Sequence, residues 1–322
     1  MIFNQWYVIL DSQELRNKPV RVKRLGENMA LWRDENDMAC CIADRCCHRG
    51  VSLGCGRTVE GKLECPFHGF LYNEKGSVTR IPANGKNTPV PGTMKVRAYK
   101  TFEAYGLIWI WWGDKEPEGE PFFFQELAGF SYSTFSDPWP VHYSRAIENQ
   151  LDVVHLPFVH RTTIGSGNKT LVHGPVVKRD NELLTFYVRN VKDDGHTTPL
   201  KPAEIKDYEK LFRLQFHYPN IWQNLISDKI RAFAAFVPVD DENCIVYIRY
   251  YQRLVTIPLL RELFNYAGKI SSKVILRQDK RVVVTQLPVK SELKMDERLI
   301  MGDKPIIEYR KHRQELIDGN HP

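Results

Sequence analysis

Residues 46 to 69 read CCHRGVSLGCGRTVEGKLECPFHG, in which Cys46-x-His48 and Cys65-x-x-His68 flank sixteen residues rich in glycine and turn formers. Each short run supplies one thiol and one imidazole, so together they offer two sulfur and two nitrogen ligands. Two kinds of centre accept that set. A lone tetrahedral zinc takes Cys2His2. A [2Fe–2S] cluster of mixed ligation takes two cysteines on one iron and two histidines on the other, which raises its potential above that of an all-cysteine cluster. Zinc fingers usually group like ligands in one knuckle. Here each loop carries one of each, which suits a cluster whose two irons are both reached from both loops.

A second constellation follows. IENQLDVVHLPFVHR (147–161) places Asn149, Asp152 and His155 at intervals of three, neighbouring positions on one face of a helix. Pro157 disfavours continuing that helix, so the chain is expected to turn after His155 and to bring His160 back toward it. Two converging imidazoles make an open metal site that lacks an anionic ligand. In SKVILRQDKRVVVT (272–285) the helical neighbours of Asp279 are Ile275, Leu276, Val282 and Val283, all apolar. A carboxylate amid such residues is costly unless a cation compensates it. His155, His160 and Asp279 would form the two-histidine, one-carboxylate triad of non-haem Fe(II) oxygenases, with positions left for dioxygen.

At these residues the chain resembles the α subunit of a Rieske non-haem iron oxygenase. C-x-H-x16-C-x-x-H, followed by Gly69 and an aromatic, is similar to the Rieske [2Fe–2S] motif. N-x-x-D-x-x-H-x4-H is similar to the family's catalytic motif, and Asp279 to its late acidic ligand. Rieske proteins of quinol-oxidising complexes carry a disulfide between the loops; Val51 and Phe67 occupy the matching places here, so the likeness is to the oxygenase or ferredoxin branch. The resemblance implies one [2Fe–2S] cluster per chain on Cys46, His48, Cys65 and His68, and one mononuclear Fe(II) on His155, His160 and Asp279. It implies a homotrimer arranged head to tail, with one subunit's cluster beside its neighbour's mononuclear iron. Asp152, with Asn149 in the same motif, would then be the catalytic bridging carboxylate between the two centres. The length of the chain resembles the monooxygenase and demethylase group, which implies use of O2 to hydroxylate or oxidatively demethylate a hydrophobic, aromatic or heterocyclic small molecule. No G-x-G-x-x-G follows a strand, so electrons from NAD(P)H would arrive through a separate reductase or ferredoxin. The basic run from Lys269 to Arg281 reads either as a surface for such an acidic carrier or as a solvated helix face. Two other classes fit part of the pattern: a Rieske electron-transfer protein without mononuclear iron, and a zinc-stabilised binding module.

The elements that must hold these residues are legible in outline, and they predict an α+β chain. WYVIL, VRVKRL, MALWR, MKVRAY and GLIWIWW are β-branched or aromatic runs broken by Gly, Asn and Asp, which predicts an all-β Rieske domain over 1–115. GDKEPEGEP (113–121) reads as linker, and a linker is assigned to 116–135. Residues 136–322 form the expected catalytic domain, an antiparallel sheet flanked by helices of helix-grip, START-like type. NELLTFYVRNV, KLFRLQFHY, RAFAAFVPV and CIVYIRYYQRL read as its strands. A helix is expected after Thr256 as N-cap, with Pro258 in its first turn. KDDGHTTPLKPAEIKDYEK (192–210) reads as a mobile polar surface loop. In HYPNIWQNLIS, Asn220, Trp222 and Asn224 share one strand face, which reads as two amides and an aromatic presented to substrate, or as a face turned to solvent or the core.

Composition closes off other classes. The chain has 322 residues, 43% apolar and 26% charged, with a net charge of +6 and no single basic block, which argues against a nucleic-acid partner. No apolar run reaches the roughly 20 residues of a membrane span. The first residues, MIFNQWYVILDSQEL, lack the basic n-region of a secretory signal. Seven cysteines, five of them between Cys40 and Cys55, read as metal chemistry in a reducing, cytoplasmic setting rather than as disulfides. Cys40, Cys41, Cys55 and Cys244 are expected to be small buried hydrophobes.

Overall fold

The structure, a computed structural model, describes residues 1–319; the last three residues of the expected catalytic domain lie outside them. The first part of the chain supplies β1 (Gln5–Asp11), β2 (Val20–Arg24), β3 (Glu27–Arg33), β4 (Ala39–Ala43), β5 (Arg57–Val59) and β6 (Lys62–Glu64). It continues with β7 (Leu71–Tyr72), β8 (Val78–Arg80), β9 (Ala98–Tyr99), β10 (Thr101–Ala104) and β11 (Leu107–Trp112). These pair in the orders β1-β11-β10, β2-β3-β4-β9 and β5-β6-β7-β8. Four of the five expected runs fall on β1, β2, β3 and β11. MKVRAY pairs as a strand only over Ala98–Tyr99, Lys95 contributing a single bridge to Ser77.

The rest of the chain builds β12 (Ser131–Trp139), β13 (Leu171–Asp180), β14 (Leu183–Val191) and β15 (Phe212–His217). β16 (Ile221–Ser227), β17 (Ile230–Pro238) and β18 (Cys244–Gln252) complete its strands. The helices are α1 (Tyr143–Leu151), α2 (Leu156–Val159), α3 (Pro258–Val283) and α4 (Lys304–Gly319). One antiparallel sheet runs β12-β18-β17-β16-β15-β14-β13, with α3 packed on β12 and β18. The chain is thus α+β, a Rieske-type all-β part followed by a large antiparallel sheet with helices.

Three local expectations change. β12 begins at Ser131 and pairs with β18 along its length, so the end of the stretch assigned to a linker is strand. α1 stops at Leu151, and Asp152 has an extended backbone (φ −75°, ψ 122°). Its Oδ1 accepts the N–H groups of Val154 (2.7 Å) and His155 (3.2 Å), a local bond that competes with helix propagation. The N-cap of α3 is Ile257 rather than Thr256, with Pro258 at the first helical position. β13 carried no strand signal because LVHGPVVKRD contains Gly174-Pro175. It lies at an edge of the sheet and shifts register between His173 and Val176, where proline is tolerated.

The two parts share a core. Val8, Leu107 and Trp109 pack with Ile221, Phe233, Ala235 and Tyr247. The Asn220 amide, fully buried, accepts from Val8 N–H (3.3 Å) and donates to the carbonyls of Val8 (3.0 Å) and Phe236 (3.3 Å). Arg249 donates to Asp11 Oδ2 (2.8 Å) and to the carbonyls of Tyr105 and Gly106.

α1 is held by a buried charge network. Arg310 grips Glu148 through two hydrogen bonds (2.7 and 3.0 Å), Arg145 reaches Glu148 (3.2 Å), and both arginines reach Glu297 (2.9 and 2.7 Å). Replacing Glu148 with alanine leaves two buried guanidinium groups sharing the single carboxylate of Glu297 and should lower the unfolding free energy by about 3 kcal/mol in a denaturant titration.

Candidate active site

The first site rests on two loops of the same shape. Cys46 N–H donates to Val51 O (2.8 Å) and Gly50 N–H to Cys46 O (2.9 Å). In the second loop Cys65 N–H donates to Phe70 O (2.8 Å) and Gly69 N–H to Cys65 O (3.0 Å). Gly50 and Gly69 close the loops at φ of 73° and 70°, a conformation that favours glycine. β4 delivers the first loop, and β6 and β7 flank the second. Cys46 and Cys65 are buried, whereas His48 and His68 are exposed with ring centroids 4.8 Å apart. His48 also stacks on Phe70 at 4.9 Å. Burial pushes the Cys65 thiol up, against the pull of the Phe67 and His68 backbone N–H groups aimed at its sulfur. Two buried sulfurs under two solvent-side imidazoles fit the donor set of a dinuclear iron–sulfur cluster.

Tyr72 accepts Cys47 N–H (3.1 Å), and its hydroxyl lies 3.1 Å from Cys46 Sγ and 3.2 Å from Cys47 Sγ. Cys47 itself is exposed, whereas Cys46 is buried and is the thiol that meets Cys65. Cys40, Cys41 and Cys244 are buried as expected. Cys55 is exposed, because it ends a short turn (Leu53–Cys55) in which only Leu53 faces the core.

The second site joins the α1–α2 corner to the middle of α3. His160 Nε2 lies 2.9 Å and His155 Nε2 3.4 Å from Asp279 Oδ1, and the two Nε2 atoms are 3.3 Å apart. Asp279 and His160 are buried. Burial would raise the Asp279 carboxyl, but the two imidazoles outweigh it and hold it at about 2. Burial likewise opposes a charge on His155, yet Asp152 and Asp279 lift it to about 9. Asp279 Oδ1 is buried and faces no donor among the described residues besides these two imidazoles. An anionic oxygen and two imidazole nitrogens within 4.8 Å of one another therefore fit a divalent cation. Of the four apolar neighbours expected around Asp279, Leu276 and Val283 are buried while Val282 is 41% exposed; the helix turns that edge to solvent.

Asp152 spends Oδ1 on the corner, while Oδ2 faces His155 Nδ1 at 3.7 Å. Its carboxyl is held below the usual range, His155 and two backbone N–H groups outweighing burial. Gln278 and Thr163 had no signal in the sequence, where both read as ordinary surface polar residues. Gln278 Oε1 lies 2.8 Å from His160 Nδ1 and accepts Thr163 Oγ1–H at 2.9 Å.

The triad opens on a cavity of about 970 Å3 lined also by Asn149, Leu156, Trp222, Asn224, Ile248 and Tyr250. Across the sheet, Leu214, Asn224, Ala232 and Tyr250 form one row, and Phe216, Trp222, Ala234 and Ile248 the next. Ala232, in the first row, leaves a hollow where a larger side chain would fill the space. Asn220 is not in this wall; its amide is committed to Val8 and Phe236.

Residues 5–102 match the Rieske [2Fe–2S] domain and residues 139–319 the vanillate O-demethylase oxygenase C-terminal domain. Chlorophyllide a oxygenase of Chlamydomonas reinhardtii is 37% identical over 51% of this chain and 25% of its own length. A putative toluene-4-sulfonate monooxygenase iron–sulfur subunit of Comamonas testosteroni is 31% identical over 56% of this chain and 52% of its own. The chain thus spans about half or less of these curated relatives. The solved structure of NdmA from Pseudomonas putida CBB5 superposes with a TM-score of 0.80 at 23% identity, covering 98% of this chain and 90% of that one, a likeness of fold. The C-terminal match alone takes in more than half of the chain, and the protein belongs to the Rieske oxygenase family, in the branch whose catalytic half is of the vanillate O-demethylase type.

Proposed function

We propose that the protein is the terminal oxygenase component of a Rieske non-haem iron monooxygenase or demethylase, acting on a hydrophobic, aromatic or heterocyclic small molecule. The observation that carries this reading is the convergence of His155, His160 and Asp279 at the wall of a largely apolar cavity. A ferrous ion held there would supply reductive activation of dioxygen. The chain's own residues do the rest. Asp279 would offset the ion's charge, and His155 and His160 would hold it through their Nε2 atoms. Asp152 Oδ2 lies 3.7 Å from His155 Nδ1, beyond hydrogen-bond length; a small closure would let it orient the ring, the usual way a carboxylate fixes a ligating imidazole. Trp222, Ile248 and their neighbours exclude water and receive an apolar substrate.

Electrons are to come from a separate reductase or ferredoxin and to enter at the cluster loops. The exposed edges of His48 and His68 and the part-exposed Asp152 carboxylate support a head-to-tail homotrimer in which one subunit's cluster meets the next subunit's Asp152. Of the basic run on α3, Lys280 is tied to Asp137 (2.9 Å) and Lys273 sits over the Phe135 ring. Arg277 and Arg281 remain exposed for an acidic carrier. No helix among the described residues is long and apolar enough to cross a membrane.

Anaerobic purification with metal and sulfide counts tests the reading. A red-brown protein with about three irons per chain, two in the cluster and one mononuclear, is expected. Two irons with no third would leave an electron-transfer protein, and a colourless zinc protein a binding module. Substrate-dependent oxygen uptake with a surrogate reductase then identifies what the cavity accepts.

A further inference from the structure

Gln278 and Asp279 are consecutive residues of α3, about 100° apart around its axis, and they reach opposite nitrogens of the same imidazole. Asp279 Oδ1 faces His160 Nε2 at 2.9 Å; Gln278 Oε1 faces His160 Nδ1 at 2.8 Å. Thr163, three residues beyond His160, places its hydroxyl 2.9 Å from the same Oε1 and 3.3 Å from the His160 carbonyl; given to the nearer oxygen, its hydrogen supports this amide orientation. His160 is 1% exposed, so no solvent competes for either ring nitrogen. An Nδ1 that meets a carbonyl oxygen must carry the hydrogen, which leaves the lone pair on Nε2, the atom turned toward Asp279 and His155. The two histidines differ in this respect: His155 Nδ1 faces the charged Asp152 Oδ2 at 3.7 Å, His160 Nδ1 a neutral amide.

We propose that Gln278 is a positioning residue for the mononuclear metal: it locks His160 in the tautomer that donates from Nε2, and, as a neutral acceptor, it leaves His160 the weaker donor of the two imidazoles. This rests on the reading of the triad as a metal site. With the amide reversed, its NH2 would face Nδ1, Nε2 would carry the hydrogen toward Asp279, and His160 would be closed to a cation.

The test uses Co(II) alone, titrated into protein freed of mononuclear metal but retaining its cluster, and followed by the cobalt d–d bands. Gln278→Met keeps the length of the side chain and removes the acceptor; it should weaken Co(II) binding roughly 10- to 100-fold, the usual effect of losing such a partner. Gln278→Glu restores an acceptor and should bind within about threefold of wild type or more tightly. Nitrogen-15 histidine spectra of the zinc-loaded wild type should show the His160 hydrogen on Nδ1. An unchanged cluster spectrum and metal-free melting temperature mark the variants as folded. Should Gln278→Met fail to fold, the Gln278→Glu affinity and the wild-type tautomer still decide. The inference falls if Gln278→Met binds Co(II) like wild type, if Gln278→Glu loses as much as Gln278→Met, or if Nε2 carries the hydrogen. A wild type that binds no Co(II) overturns the metal reading as well. A wild type that binds it but consumes no oxygen with any substrate overturns the oxygenase reading and leaves this inference standing.

Discussion

Replacing Asp152 with asparagine should leave iron and sulfide contents intact and lower turnover about a hundredfold, at the upper end of what loss of a ligand-orienting partner costs. The reason lies in how the two oxygens are used. Oδ1 holds the corner by accepting Val154 and His155 N–H, a task the carbonyl of an asparagine can keep. Oδ2, beside His155 Nδ1, becomes an NH2, which sets a donor against a donor and removes the negative charge. Side-chain volume is nearly unchanged, so the cluster loops and the triad should keep their ligands. The measurement is single-turnover: the variant should accept electrons at the cluster at the normal rate and pass them on slowly. Alanine should behave similarly but loosen the corner. Near-normal turnover of either variant with full metal content would remove Asp152 from the route between the centres.

Replacing Asp279 with asparagine should abolish the mononuclear site. A neutral amide cannot offset a divalent charge in a site this buried, and its NH2 would compete for the lone pairs of His155 and His160. The iron count should fall from about three to about two per chain, with the visible cluster spectrum unchanged and substrate-dependent oxygen uptake at background. Retention of the third iron would show that the ligand set is not the one proposed.

How much of this was readable follows from where each signal lies. The ligand candidates were legible because Cys, His and Asp are unusual residues in such short spacings. Their convergence across more than a hundred residues, from His160 to Asp279, depended on one clue, an acid set among apolar helical neighbours. That clue was only partly right, since Val282 points outward. The face shared by Trp222 and Asn224 followed from strand alternation, but alternation does not distinguish a cavity wall from a seam. Asn220 lies just before β16, where its amide meets β1, a pairing between residues 212 positions apart that no local pattern encodes. The helix end at Asp152 was missed for a related reason: spacing by three suits a helix, whereas an aspartate that binds the next backbone groups ends one. Gln278 gave no signal, because its partner His160 comes from a distant segment.

The order of the large sheet has one more consequence. Its two margins are β12 and β13, the strands with no further strand paired to their outer edge, though Leu200 O already takes the Gly174 N–H of β13. Each carries a proline, Pro138 in one and Pro175 in the other, and β13 is further interrupted by its register shift. Proline withholds a hydrogen-bond donor, and a bulge breaks the straight template that an invading strand needs. The protein thereby carries built-in resistance to edge-to-edge aggregation, which a seven-stranded sheet of this size would otherwise invite at micromolar concentrations.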